Sequence, residues 1–284
     1  MKEKIKLIFA LITILIWPRL LCAQHIHINA GAVNTTQDAQ LYFVNGYVYG
    51  TNAGYDVYLS YTNAGSFSNL YQGAGLTFTA LASTPDNGGP AFGHAADGAY
   101  LQLQFVSVTG PQNGAFSVWE QDAGNPAVSN PLFTIPVGTT NGANHFNLSE
   151  SDGSPGSDPY GHIHGRTFAA SVPGLYTLGV KIVDTSANGT DGGPIHTPSD
   201  IYYLYFQAGL TISSPTKTMN SFTATFGTKL GTTYFVEAST NLASTNWTTL
   251  AGPFTGNNSL QTLSDTNPTN PARFYRLSQL NNLP

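Results

Sequence analysis

Cysteine is nearly absent: the single one, Cys22, lies in an N-terminal stretch that reads as a targeting signal. Lys2, Lys4 and Lys6 make a basic start, "LIFALITILIW" is an apolar run too short to span a bilayer, and "LCA" ends on a small residue. Cleavage after Ala23 makes residues 1–23 a signal peptide and leaves a mature chain with no cysteine. The alternative is lipoprotein processing at Cys22, but the preceding "RLL" has leucine where a small residue is expected. The mature chain is then exported, to the medium, the periplasm or the cell surface, without disulfides or thiolate ligands. Its stability has to come from burial and sheet pairing, and no transmembrane segment is expected after signal cleavage.

Positive charge is also scarce. Residues 24–209 carry Arg166 and Lys181 against twelve acidic side chains, whereas residues 210–284 carry four cations (Lys217, Lys229, Arg273, Arg276) against Glu237 and Asp265. An acidic body repels phosphate backbones, so nucleic acid is not an expected partner and cations are. The shift in charge, the composition change near "FQAGLTISSPTKT" and the confinement of all seven histidines to residues 25–196 place a domain boundary close to residue 209.

A helical period is missing as well. Apolar runs alternate with period two and are bounded by Gly, Asn, Asp, Pro or Ser, as in "YDVYLSY" (55–61), "AYLQLQFVSV" (99–108), "LYTLGVKIVD" (175–184), "IYYLYFQA" (201–208), "SFTATF" (221–226) and "TYFVEAS" (233–239). This pattern predicts an all-β chain: an antiparallel β-sandwich of the immunoglobulin/fibronectin or jelly-roll kind over 24–209, followed by a second small β-sandwich over 210–284. In "PGLYTL", Pro173 and Gly174 turn the chain. Tyr176 either closes a tyrosine corner through its hydroxyl or is plain core.

What is present in an unusual arrangement is histidine. "HIHINAG" (25–31) and "HIHGR" (162–166) each hold an H-x-H pair, and "DNGGPAFGH" (86–94) is echoed by "DGGPIH" (191–196). On a strand, residues i and i+2 share a face about 6–7 Å apart, so each pair offers two imidazoles to one ion. Zinc takes three or four N or O ligands, so one pair is insufficient. The candidate ligands are His25, His27, His162 and His164, with His196 as an alternate, and Asp158, Asp191 and Asp200 are candidates for the remaining position or for orienting a ring. Imidazole donors suit zinc, with Cu(II) or Ni(II) as competitors; with Met219 as the one methionine of the mature chain, a soft Cu(I) site is disfavoured. The bland reading is that these histidines sit near turns with ordinary hydrogen bonds. That reading fits His94 and His145 best, alone in Gly/Asn-rich loops. Glu150 and Asp152 in "LSESDGSPGSD" read as a solvated loop. The chain shows no nucleophile elbow, zinc helix, phosphate loop or paired carboxylates.

The run "GAFSVWEQDAGNPAV" (114–128), an acidic loop, and "GHIHGRTFAASVPGLYTLGVKIVD" (161–184) resemble a bacterial surface-anchored domain. Its signature is a G-x-x-x-x-W/Y start followed by H-x-H-x-x-x-F-x-x-P-G-x-Y, and a related group of exported proteins carries a PEP-CTERM sorting tail. Some members are linked to zinc-responsive repression or to zinc or manganese uptake systems. The resemblance implies His162 and His164 as the paired histidines, Phe168 and Tyr176 as core, Pro173–Gly174 as the turn, and His25-Ile26-His27 as the opening. It departs at Gly165-Arg166, where the family has Asn-Trp, and no sorting tail or membrane anchor follows. Instead "YFVEASTNLASTNWTTLAG" and "ARFYRLSQL" resemble small β-sandwich modules of exported bacterial proteins.

Two functions are therefore expected from the sequence. One is a zinc-binding exported protein for metal capture, buffering or delivery, with cell-surface or uptake components as partners. The other is a structural or adhesive surface module, including a carbohydrate-binding one, with no metal role. A histidine-ligated zinc enzyme is a minor third, and the chain is not read as an enzyme.

Overall fold

A computed structural model describes residues 26–44, 55–84, 92–120, 130–163, 166–243, 245–257, 259–266, 268 and 272–280. The signal-peptide expectation, His25 and His164 lie outside these residues. The alternation read from the sequence becomes strands in each of the six quoted runs. In the longest, Tyr176, Leu178, Val180 and Ile182 all point inward and are fully buried, while Thr177 and Lys181 face outward and stay partly exposed.

Two sheets enclose the main core. The smaller holds β1 (Ile26–Ala32), β2 (Leu41–Phe43), β5 (Leu76–Ala80) and β10 (Gly161–Ile163), in the order β10-β5-β1-β2. The larger is built from β3 (Val57–Thr62), β4 (Leu70–Gly73), β6 (Leu101–Thr109), β7 (Ala115–Glu120), β8 (Phe133–Pro136), β9 (Asn144–Asn147), β11 (Arg166–Ala170), β12 (Gly174–Asp184) and β13 (Tyr202–Ala208). Their order is β8-β7-β11-β4-β3-β13-β12-β6-β9. Phe78 of the small sheet meets Phe146 and Phe168 of the large one, with ring centroids 5.4 and 6.4 Å apart, so one aromatic core joins both layers.

The architecture is all-β, as the alternation predicts, with two differences from a plain antiparallel sandwich. The pairs β1/β5 and β13/β3 are parallel. The large sheet also curls until its two ends approach. Phe133 of β8 packs on Phe105 of β6 at 5.3 Å, and Val108 exchanges backbone hydrogen bonds with Gly138 and Thr139, just past β8. Sheet twist accumulates over many strands, so a sheet this wide bends toward closure, and its edges become less exposed.

Tyr176 turns out to be both of the things proposed for it. Its side chain is 0% exposed, and its hydroxyl donates to the Val172 carbonyl, 2.9 Å away and four residues upstream. Burial raises its phenol pKa, which keeps the proton on the donor. An added Cβ at Gly110 would come within 2.8 Å of the Tyr176 ring, and one at Gly114 within 2.6 Å of its hydroxyl oxygen.

The C-terminal residues form two three-stranded sheets of their own. One holds β14 (Ile212–Lys217), β15 (Phe222–Gly227) and β18 (Leu260–Asp265), and the other β16 (Thr233–Ser239), β17 (Thr248–Thr255) and β19 (Phe274–Leu280). Between them lies a separate small core of Phe226, Tyr234, Val236 and Leu263. Tyr55 reaches from the main body to donate its hydroxyl proton to the Thr228 carbonyl. Lys229 Nζ donates to Ser60 Oγ at 3.3 Å. Among the described residues no helix is long and apolar enough to cross a membrane.

Candidate metal centre

The stretch "GHIHGRTFAA" is divided between the two sheets. Its first half is β10 in the small sheet and its second half begins β11 in the large sheet. That division brings His162 toward the N-terminal strand. β10 pairs with β5 so that His162 stands opposite Thr79, and β1 pairs with β5 on its other side so that His27 stands opposite Thr77. Cross-strand partners share a face, so His27, Thr77, Thr79 and His162 lie on the side of the sheet opposite Ile28 and Phe78, which are in the core.

The backbones of β1 and β10 are two strand spacings apart, about 9.6 Å. The two imidazoles nonetheless approach to 5.4 Å between ring centroids, edge to face at 87°, so both side chains lean over β5. Two imidazoles on one zinc ion, with Zn–N near 2.0 Å and a roughly tetrahedral angle, would have centroids about 5.2 Å apart. The observed spacing fits that requirement. Beneath the rings Thr77 is 2% exposed, and the Thr79 hydroxyl is buried without a hydrogen-bond partner among the described residues. A buried orphan hydroxyl costs about 1–3 kcal/mol, and an incoming ligand or its water would relieve it.

Gly161 explains why this histidine is preceded by glycine. A Cβ at that position would collide with the Leu148 carbonyl oxygen and reach 3.0 Å from the Glu150 nitrogen. Without one, β10 lies directly against the 148–150 backbone. Glu150 N–H donates to the Tyr160 carbonyl at 2.8 Å, and the Glu150 carboxylate accepts from His162 N–H at 2.9 Å. Sequence reasoning placed Glu150 in a solvated loop and so missed this contact, because the loop closes on itself only in three dimensions. The alternation in "LTFTA" did carry a signal for Thr77 and Thr79, as polar residues sharing one face of a strand.

His196 is not brought to this strip. It is 1% exposed, its Nδ1 faces the Ala39 carbonyl at 3.0 Å, and its Nε2 accepts from Ala96 N–H at 2.9 Å. Both ring nitrogens are thus used inside the chain. Burial lowers its pKa, in keeping with a neutral ring carrying its proton on Nδ1. The carboxylate that organises this loop is Asp184, which accepts backbone N–H bonds from Tyr100, Ser186, Ile195 and His196.

The acidic candidates are placed apart in the same way. Asp158 accepts from the backbone of Ser83, Thr84 and Tyr160 and from the Thr84 hydroxyl, so it closes a loop. Asp191 is exposed in a short 3-10 turn, and Asp200 accepts from Gln40 Nε2 at 3.4 Å. His94 Nδ1 faces the Ala95 carbonyl at 2.7 Å. His145 is on strand β9 opposite Gln104 rather than in a loop, because "NHFN" alternates and buries Phe146. Arg166, which departs from the family pattern, is buried and pairs with Glu120 at 2.8 Å while lying over the Phe146 ring. Among the described residues no group of three or more His, Cys, Asp or Glu is close enough to hold an ion.

Comparison with protein-family models found no match, and comparison with curated proteins and with solved structures found no significant one.

Proposed function

We propose that the protein is an exported zinc-binding β-sandwich protein whose task is capture, buffering or delivery of the ion rather than catalysis. The observation that carries this reading is the approach of His27 and His162, two imidazoles from distant parts of the chain, across β5 to 5.4 Å. The sequence supplies two further imidazoles, His25 and His164, each two residues from one of this pair. Four imidazoles are the number of nitrogen ligands zinc uses, and the Glu150 carboxylate, which accepts from His162 N–H, adds an oxygen donor on the adjoining loop. The acidic, cation-poor main body adds a field that draws metal ions toward it.

The ligands must be neutral to bind, so affinity falls as pH drops through the histidine range near 6.5. The test is calorimetric titration of zinc into tag-free protein, with a thermal melt alongside. At a free zinc concentration about 100 times Kd, binding adds about 2.7 kcal/mol to stability, which in a domain of this size raises Tm by roughly 5–11 °C. His27→Ala with His162→Ala should abolish both the heat and the shift. Unchanged zinc affinity in that double variant overturns the assignment.

A further inference from the structure

The junction between the main body and the C-terminal module holds a groove of about 630 Å³, within the size range of small-ligand sites. One wall is tyrosine-rich, formed by Tyr58, Tyr61 and Tyr71, and the other carries Lys229 and Gln279. Tyr61 is 55% exposed. Its ring is held 5.3 Å from Tyr71, and its hydroxyl donates to Asn69 Oδ1 at 3.1 Å. Tyr71 is braced from behind by Gly209, whose left-handed φ of +61° and close approach leave only 2.5 Å between a hypothetical Cβ and the ring. This exposed aromatic surface is therefore fixed in place before any ligand arrives.

We infer that this groove binds a saccharide carrying an acidic group, with Tyr61 as the stacking platform and Lys229 as the donor to the sugar's carboxylate or sulfate. A pyranose has an apolar face of C–H bonds and a rim of hydroxyls. A tyrosine offers a flat apolar ring with a polar tip, so the two surfaces match. Gln279 and Ser60 add neutral donors and acceptors suited to hydroxyls. Lys229 sets the charge. It is exposed and donates to the neutral Ser60 hydroxyl at 3.3 Å, and among the described residues no carboxylate lines the groove. An ammonium in a partly enclosed groove with a neutral described lining gains most from an anionic ligand group. Tyr58 is pushed above the ordinary phenol range by burial, so its hydroxyl remains a donor at any physiological pH. The buried Tyr55 hydroxyl bond to the Thr228 carbonyl ties the main body to the C-terminal module independently of Lys229.

The experiment is titration of the full chain with short oligogalacturonates and, in parallel, with cello-oligosaccharides, followed by intrinsic fluorescence and calorimetry. The acidic oligomers should bind, Tyr61→Ala should weaken them by about tenfold or more, and Lys229→Gln should weaken them by a similar factor while leaving the melting curve in place. His27→Ala with His162→Ala should leave sugar binding unchanged, which separates this site from the metal. Failure of every acidic oligomer, preference for the neutral series, or full affinity in Tyr61→Ala would each overturn the inference.

Discussion

Gly161→Ala tests whether the close seating of β10 is what presents His162. The added methyl would be placed on the Leu148 carbonyl oxygen and 3.0 Å from the Glu150 nitrogen. Both are backbone atoms that no rotamer change can move, so β10 has to retreat by about 1 Å or more to restore ordinary contact. The described pairing of this strand covers Gly161–Ile163, and retreat strains all of it together with the Glu150 bond to His162 N–H. Overpacking of this kind costs about 1–3 kcal/mol, and a methyl set against fixed backbone belongs at the upper end. At roughly 2–4 °C per kcal/mol for a domain of this size, Tm should fall by about 6–12 °C in a calorimetric scan at neutral pH. The zinc response proposed above should weaken with it, because His162 moves with its strand. A variant that melts like the parent and binds zinc as tightly would show that β10 is not seated as described, and the reasoning from Gly161 to His162 would fail.

Tyr176→Phe removes the hydroxyl that caps the Val172 carbonyl and leaves that part-buried acceptor without its donor. A loss of about 1–3 kcal/mol is expected in urea unfolding, with no change in zinc affinity. His196 is held neutral by burial, with its folded pKa below the unfolded value near 6.5. As pH falls below about 6.5 the unfolded chain takes up the proton first, so stability drops there, and His196→Gln should flatten that part of the profile, measured by urea midpoints. Asp56 has the opposite sign: burial raises its pKa from 3.8 to about 6, with Tyr205 N–H as its backbone partner. The unfolded state releases the proton earlier, so stability is lost as pH rises from about 4 through 6. Asp56→Asn should therefore be more stable than the parent at pH 7 and should lose that advantage at pH 4.

Much of the fold was legible because β-structure writes itself in period two. The Tyr176, Leu178, Val180 and Ile182 face was readable from alternation alone, and so were the turn at Pro173–Gly174 and the strand character of the C-terminal runs. Strand partners were not legible. Nothing local in "HINAG" or "LTFTA" specifies that β1 and β5 run parallel, since that choice is made by what the intervening chain does.

The same division holds for the site. By itself the sequence determined the donor chemistry: no mature cysteine under the expected cleavage, two H-x-H pairs and an acidic body, each a property of residue type and spacing. Only the tertiary structure decided which histidines meet. It leaned His27 and His162 together over β5, and it used both ring nitrogens of His196 to hold the Ala39 and Ala96 backbone. The physical reason is that a side chain's type is local, whereas its distance to a partner depends on sheet order and register, and those are settled by how the whole chain buries its apolar faces.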